Sequence, residues 1–240
     1  MAPTDSLQHR IEGLGLGAPV TVRVSPRAQR LSLRVDAASR RVELVLPRRF
    51  AEKTALAFVA AHRGWIAARV AALPPPLRLA DGATVPVFGR PHFIRHVPDP
   101  QRGLAAAPVT IADGEIRVRG DPAHLPRRVR DHLIALAKRD FAARTRALAA
   151  RLGKDVARVG VRDPKSRWGS CSSKGAISFS WRLVFAPEAV IDYVVAHEVA
   201  HLVEMNHSPR FWRVVAGLVP DSAAPRAWLK RHRLELLSYG

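Results

Sequence analysis

A chain of 240 residues, 48% of them hydrophobic, can bury one large core or two smaller ones without covalent staples. Its one cysteine, Cys171, excludes an internal disulfide and fits a reducing compartment, and no apolar run is long enough to cross a bilayer. Lysine and arginine number 39 against 20 acidic residues, a net charge of +19 that attracts polyanions, so nonspecific contact with nucleic acid through the basic surface is one partner class to expect. The excess is mostly arginine and is spread along the chain rather than gathered in one tract, a pattern that coding bias also produces.

The opening stretch, "MAPTDSLQHRIEGLGLGAPV", lacks a basic start followed by an apolar run, so no secretory signal is read. The expected location is the cytoplasm, with no membrane partner. Residues 19–47 alternate apolar and polar side chains through Val20, Val22 and Val24, then Leu31, Leu33 and Val35, then Val42, Leu44 and Val45. This period of two predicts a pair of hairpins or a small meander. From Phe50 to about Ala72 the spacing turns helical, through Leu56, Val59, Ala60 and Ile66, and "LPPPLRL" ends it, because proline lacks the N–H and clashes with the preceding turn. Residues 83–119 return to short strands, with a tight turn at Asp113-Gly114.

At "DPAHLP" the composition shifts. The expected organisation is a strand-rich lobe with one helix over residues 1–120 and a second domain over 121–240, an α+β protein. The second half reads as a helix over about 124–152, a strand near 157–162, and a hairpin over 167–182 turning at Lys174-Gly175. A helix from about Pro187 to Met205, a shorter one after Pro209, and a last one over about 223–237 complete it.

The chemistry lies in "AHEVAHLVEMNHSPRFW", starting at Ala196. On a helix, residues four apart share a face, so His197 and His201 can aim two imidazoles at one point, as two tetrahedral zinc ligands require. Glu198 then leans beside the ion, placed to take a proton from zinc-bound water. A catalytic zinc needs a third protein ligand. His207 is six residues beyond His201, so the chain must turn, and Asn206 can adopt the left-handed conformation that ends helices. Glu204 and Asp221 are the rivals for that place, Glu204 alternatively orienting a ligand imidazole. The helix around the motif is apolar at Val190, Ile191, Val194, Val195, Leu202 and Val203, and two histidines and a glutamate in such a setting are costly unless paired or ligated.

The preceding hairpin, "RWGSCSSKGAISFSWRL", can offer an edge strand to an extended peptide, while Trp168, Phe179 and Trp181 read as core. Cys171 reads as a small buried residue, with a fourth metal ligand as the alternative. Tyr193, Arg167, Arg182, Arg210 and His232 are candidate donors to a developing oxyanion.

The stretch "RWGSCSSKGAISFSWRLVFAPEAVIDYVVAHEVAHLVEMNHSPRFW" resembles the YgjP-like metallopeptidases, relatives of the SprT-like and WLM zinc proteases. "RAQRLSLRVD", "RGWI" and "VFGRPHFIRHV" extend the resemblance to nearly the whole chain. It implies a minigluzincin-like catalytic domain, a short sheet packed on the zinc-binding helix, with one zinc per chain on His197, His201 and His207 and Glu198 as general base. Ser180 departs from the pattern, since relatives often carry asparagine there. The function expected is a hydrolase, a zinc metalloendopeptidase of the His-Glu-x-x-His type acting on polypeptides through a Glu-activated, zinc-bound water. The alternatives are a DNA-associated protease of the SprT-like type and a non-catalytic, metal-stabilised module that binds nucleic acid or protein.

Overall fold

The computed structural model describes residues 3–37, 39–75, 78–98, 107–164 and 167–239. They fall into two compact units, Met1–Pro76 and Leu77–Gly240. No helix among the described residues is long and apolar enough to cross a membrane.

The first unit runs α1 (Pro3–Glu12), β1 (Val20–Val24), β2 (Ser32–Asp36), β3 (Arg41–Leu46), α2 (Glu52–Ala61) and α3 (Arg63–Ala71). The strands lie where the alternation places them, but only β2 and β3 pair as antiparallel neighbours. β1 lies parallel to β3, giving the order β1-β3-β2 rather than two hairpins or a meander. The reason is burial: β3 hides Val42, Leu44 and Leu46 completely, and so apolar a strand takes the centre, flanked on both edges. The helical stretch expected from 50 to 72 breaks at His62, which leaves helical geometry at φ −99°, ψ 8° while its Nδ1 lies 2.8 Å from the Phe58 carbonyl oxygen. The bend lets Val59 of α2 and Ile66 of α3 enter one core with Leu7 and Ile11 of α1. The end of the proline run, Pro76 and Leu77, lies outside the described residues.

The second unit begins with β4 (Thr84–Val87), β5 (Arg90–Val97), β6 (Val109–Ala112) and β7 (Glu115–Arg119), in the order β4-β5-β7-β6. Asp113 and Gly114 take positive φ, 55° and 73°, as the tight β6–β7 turn requires. Phe88 and Gly89 do the same between β4 and β5, at 52° and 77°. That turn presses on the chain entering the motif helix: Phe88 N donates to the Val184 carbonyl at 2.7 Å, and a Cβ on Gly89 would lie 2.8 Å from Pro187 Cα.

Next comes α4 (Leu125–Arg151), whose buried residues, Leu125, Val129, Leu133, Ala137, Phe141, Thr145 and Ala149, recur every fourth position. At 3.6 residues per turn such a stripe winds slowly around the helix, so one long helix packs on the first sheet near its start and on later elements towards its end. Strands β8 (Arg158–Arg162), β9 (Gly169–Cys171) and β10 (Ala176–Ser180) form a second sheet, ordered β8-β10-β9. Four helices close the chain: α5 (Glu188–Ala200), α6 (Pro209–Leu218), α7 (Ala223–Arg231) and α8 (Arg233–Ser238). The composition shift at 120–121 falls inside this unit, because Val85, Ile94 and Ile116 of the first sheet share one core with α4 and α5. The whole is an α+β fold.

Candidate metal centre

Helix α5 is buried on nearly every side: Val190, Ile191, Tyr193, Val194, Val195, Ala196, Val199 and Ala200 are all core. It ends earlier than the expected Met205. His201 is its C-cap and tight turns follow, since Met205, Asn206 and His207 are exposed and further helix would bury nothing. Asn206 does not take the left-handed conformation expected of it. Among described non-glycine residues only Arg40, Phe88 and Asp113 have positive φ. Instead Asn206 Oδ1 accepts from Ser208 N at 3.0 Å, and Ser208 Oγ caps α6 by accepting from Phe211 N at 3.4 Å.

This turn carries His207 back over α5. One ring nitrogen from each of His197, His201 and His207 lies within 4.8 Å of the others, so the three could hold a metal ion. His197 Nε2 and His207 Nε2 are 3.1 Å apart, close to the ~3.3 Å expected for two imidazoles on one tetrahedral zinc at about 2.0–2.1 Å. His201 Nδ1 donates to the Glu204 carbonyl oxygen at 3.1 Å. A carbonyl only accepts, so that bond fixes the tautomer and leaves His201 Nε2 with a free lone pair. Glu204 thus orients a ligand candidate through its backbone, while its carboxylate lies 3.9 Å from Arg210. Asp221, the other rival, accepts from Ala223 N and Ala224 N at the start of α7. Neither belongs to the three-histidine group.

Burial, with His201, His207 and Arg226 adding to it, lowers the His197 pKa to about 4, so its imidazole is neutral, as a ligand must be. Its buried Nδ1 has no partner among the described residues. The donor set therefore fits a zinc ion: three converging imidazoles, one of them locked in tautomer. Phe211, fully buried, packs under all three, with ring centroids 4.9, 4.6 and 4.8 Å from those of His197, His201 and His207. Sequence reasoning passed over Phe211, although its spacing from His207 puts it one turn into α6.

Glu198 is 6% exposed, and burial raises its pKa to about 7 against the opposing pull of Arg167. It abuts Gly169 of β9. A Cβ there would lie 2.5 Å from Glu198 Oε1 and 2.7 Å from its Cδ, so only glycine leaves the carboxyl its place. The open cleft beside it, about 330 Å³, is lined by Arg167, Trp168, Gly169, Tyr193, Val194, His197, Glu198, Arg226 and Leu229. Trp168 therefore borders the cleft rather than lying wholly in the core, whereas Phe179 and Trp181 are buried as expected.

Of the candidate oxyanion donors, the cleft contains Arg167 and Tyr193 and adds Arg226, which nothing in the sequence singles out. Arg182 is buried elsewhere, held by Asp163 and by the Tyr239 carbonyl. Arg210 faces Glu204, and His232 is paired with Glu235 at 2.7 Å. Cys171 lies outside the ligand group. Its thiol donates to the Ser172 carbonyl, and burial, aided by the Glu198 charge, pushes its pKa up to about 11. Ser180 is fully buried, its Oγ without a partner among the described residues, and it does not line the cleft.

Compared with known families, the chain matches the YgjP-like metallopeptidase domain over residues 29–232. It belongs to the YgjP-like metallopeptidase family. The match begins within the first unit, taking in β2, β3, α2 and α3, and continues through the second to residue 232. No curated protein matches the chain. Among solved structures, the metallopeptidase zymogen abylysin of Pyrococcus abyssi aligns with 39% of this chain and 95% of its own, at 24% identity and a TM-score of 0.35.

Proposed function

We propose that this metallopeptidase is a zinc-dependent endopeptidase, with the ion held by His197, His201 and His207 and protons moved by Glu198. The observation that carries the reading is the convergence of three imidazoles beside a buried carboxyl, in a chain of a metallopeptidase family. A zinc ion there would supply a Lewis acid for the scissile carbonyl and for the attacking water. Glu198, its pKa raised by burial to about 7, takes the water's proton at a carboxylate oxygen and returns it to the leaving amine. Arg167 and Arg226 are the cations in the cleft available to a developing oxyanion.

The substrate docks as an added strand. In the β9–β10 pairing, Ser172 N bonds Ala176 O and Ser180 N bonds Trp168 O. By alternation the backbone groups of Gly169 and Cys171 face the free edge of β9, beside Glu198. The test is Glu198→Gln, measured for zinc content and for cleavage of a quenched-fluorescent peptide pool. Zinc kept and cleavage reduced by about 10³-fold or more supports the reading. Wild-type cleavage by the variant would sink it.

A further inference from the structure

Arginines that are scattered along the sequence are gathered by the fold at one end of the first unit's sheet. The order β1-β3-β2 makes β1 and β2 the outer strands, so the connection between them has to cross the end of β3. Register fixes which end. Val24 of β1 pairs with Leu46 of β3, Ser32 of β2 pairs with Val45, and Ser25 N donates to the Leu46 carbonyl at 2.9 Å. Arg23 lies near the end of β1, Arg27 and Arg30 ride on the crossing connection, and Arg48 and Arg49 follow β3 directly after Pro47. Five arginines from two separate stretches of chain therefore meet across three strand ends, a span of about 10 Å.

All five are exposed, and no guanidinium among them forms a hydrogen bond, ion pair or ring contact with a described residue. Arg95, Arg117, Arg144 and Arg182, by contrast, are each paired with an acid. Residues 23–31 and 47–51 contain no aspartate or glutamate. The acids next along the chain face other cations: Glu52 pairs with Arg10 at 2.6 Å, and Glu43 stands opposite Arg34 in the β2–β3 register. Helix α2 begins just beyond Arg49 with no side-chain cap from its N-cap residue Ala51, so the positive end of its dipole adds to the same field.

Like charges held this closely repel one another, and a polyanion that replaces their counterions relieves the repulsion. The side chains select the kind of polyanion. Arginine presents a planar fork that matches a phosphate bidentately. A membrane-surface site needs an apolar face to bury in the lipid, and among the described residues of this end Val24 is the one large apolar side chain that is exposed. We infer that the arginine-capped end of the first sheet binds the phosphate backbone of nucleic acid. The inference stands apart from the peptidase reading and holds or fails without it.

The test is fluorescence anisotropy of a labelled, mixed-sequence DNA duplex with the full chain across a salt series. The Arg27→Ala/Arg30→Ala/Arg48→Ala variant should bind about tenfold or more weakly at ~0.1 M salt, and the slope of log K against log salt should flatten by about 2–3, since each lost phosphate contact removes about 0.9. Arg27→Lys/Arg30→Lys/Arg48→Lys should keep most of the slope, because each lysine still neutralises a phosphate. Lys138→Ala/Arg146→Ala/Lys154→Ala removes the same charge from exposed positions of the second unit, and it should change affinity less than about threefold. Thermal melts of all variants show that each is folded.

Equal weakening by the two alanine variants overturns the inference, because binding would then follow net charge rather than this surface. A wild type that does not bind the duplex at ~0.1 M salt overturns it as well. Phosphatidylglycerol vesicles that sediment with the wild type and not with the Arg27→Ala/Arg30→Ala/Arg48→Ala variant, while its DNA affinity is unchanged, assign the surface to membrane and also refute it.

Discussion

Replacing Gly169 by alanine perturbs the Glu198 carboxyl without removing any polar group. The new Cβ would stand 2.5 Å from Glu198 Oε1, 2.6 Å from Cγ and 2.7 Å from Cδ. Ordinary contact begins near 3.5 Å, so the carboxyl must retreat by about 1 Å. Gly169 does not have positive φ, so alanine adds no backbone strain of its own. Overpacking of this kind costs about 1–3 kcal/mol, or a melting-point drop of roughly 4–8 °C at its midpoint for a unit of this size. The larger effect is on rate, because a catalytic group misplaced by about 1 Å can cost about 10²-fold. Zinc content, melting temperature and kcat/KM on a quenched-fluorescent peptide, measured together, separate the two effects. Expected are full zinc, a modest melting shift and a rate loss of about two orders of magnitude. Wild-type kcat/KM in Gly169→Ala would show that the position of Glu198 against β9 is not what sets the rate.

Other consequences can be measured on stability alone. Gly89→Ala places a side chain at φ 77° and 2.8 Å from Pro187 Cα, a backbone atom that cannot swing aside. It should cost about 2–4 kcal/mol in thermal or urea unfolding, and a melt within a degree of wild type would refute the contact. Tyr239 is buried against Phe185, and burial with the nearby Glu235 raises its hydroxyl pKa from about 10 to about 12. The unfolded chain then releases this proton first, so its contribution is complete below pH 10 and lost as pH rises from about 10 to about 12. Tyr239→Phe should flatten that part of the stability–pH curve measured by urea unfolding, and an unchanged curve would contradict the assignment. Phe211→Ala removes the ring under all three imidazoles and should weaken zinc retention about 10–100-fold in a chelator competition. Unchanged affinity would mean the imidazoles need no such support.

The three-histidine group was legible because helical spacing alone puts His197 and His201 on one face, and because His207 follows after a short turn. The means of the turn was not legible. Asn206 acts through its side-chain oxygen rather than through left-handed backbone, a choice made by the Ser208 amide that it meets. The tautomer lock on His201 comes from the Glu204 carbonyl, which no side-chain pattern encodes. Gly169 left a faint signal, a glycine inside a short strand, but what it makes room for lies about thirty residues away in Glu198. Arg226 left none, since one arginine among many gains its meaning only from the packing of α7 beside α5.

The strands told a similar story. Alternation located β1, β2 and β3, yet the parallel pairing of β1 with β3 depends on which strand is most buried, a tertiary fact. The shift in composition near residue 120 marks the start of the long helix α4, and the core runs straight across it.

The most direct measurement is the metal content of the purified chain by elemental mass spectrometry, beside His207→Ala. A site built from three imidazoles predicts about one zinc per chain in the wild type and a clear loss in the variant under the same chelator wash. Zinc retained in full by His207→Ala, or none taken up by the wild type after zinc is added, would contradict the three-histidine centre on which the proposed chemistry depends.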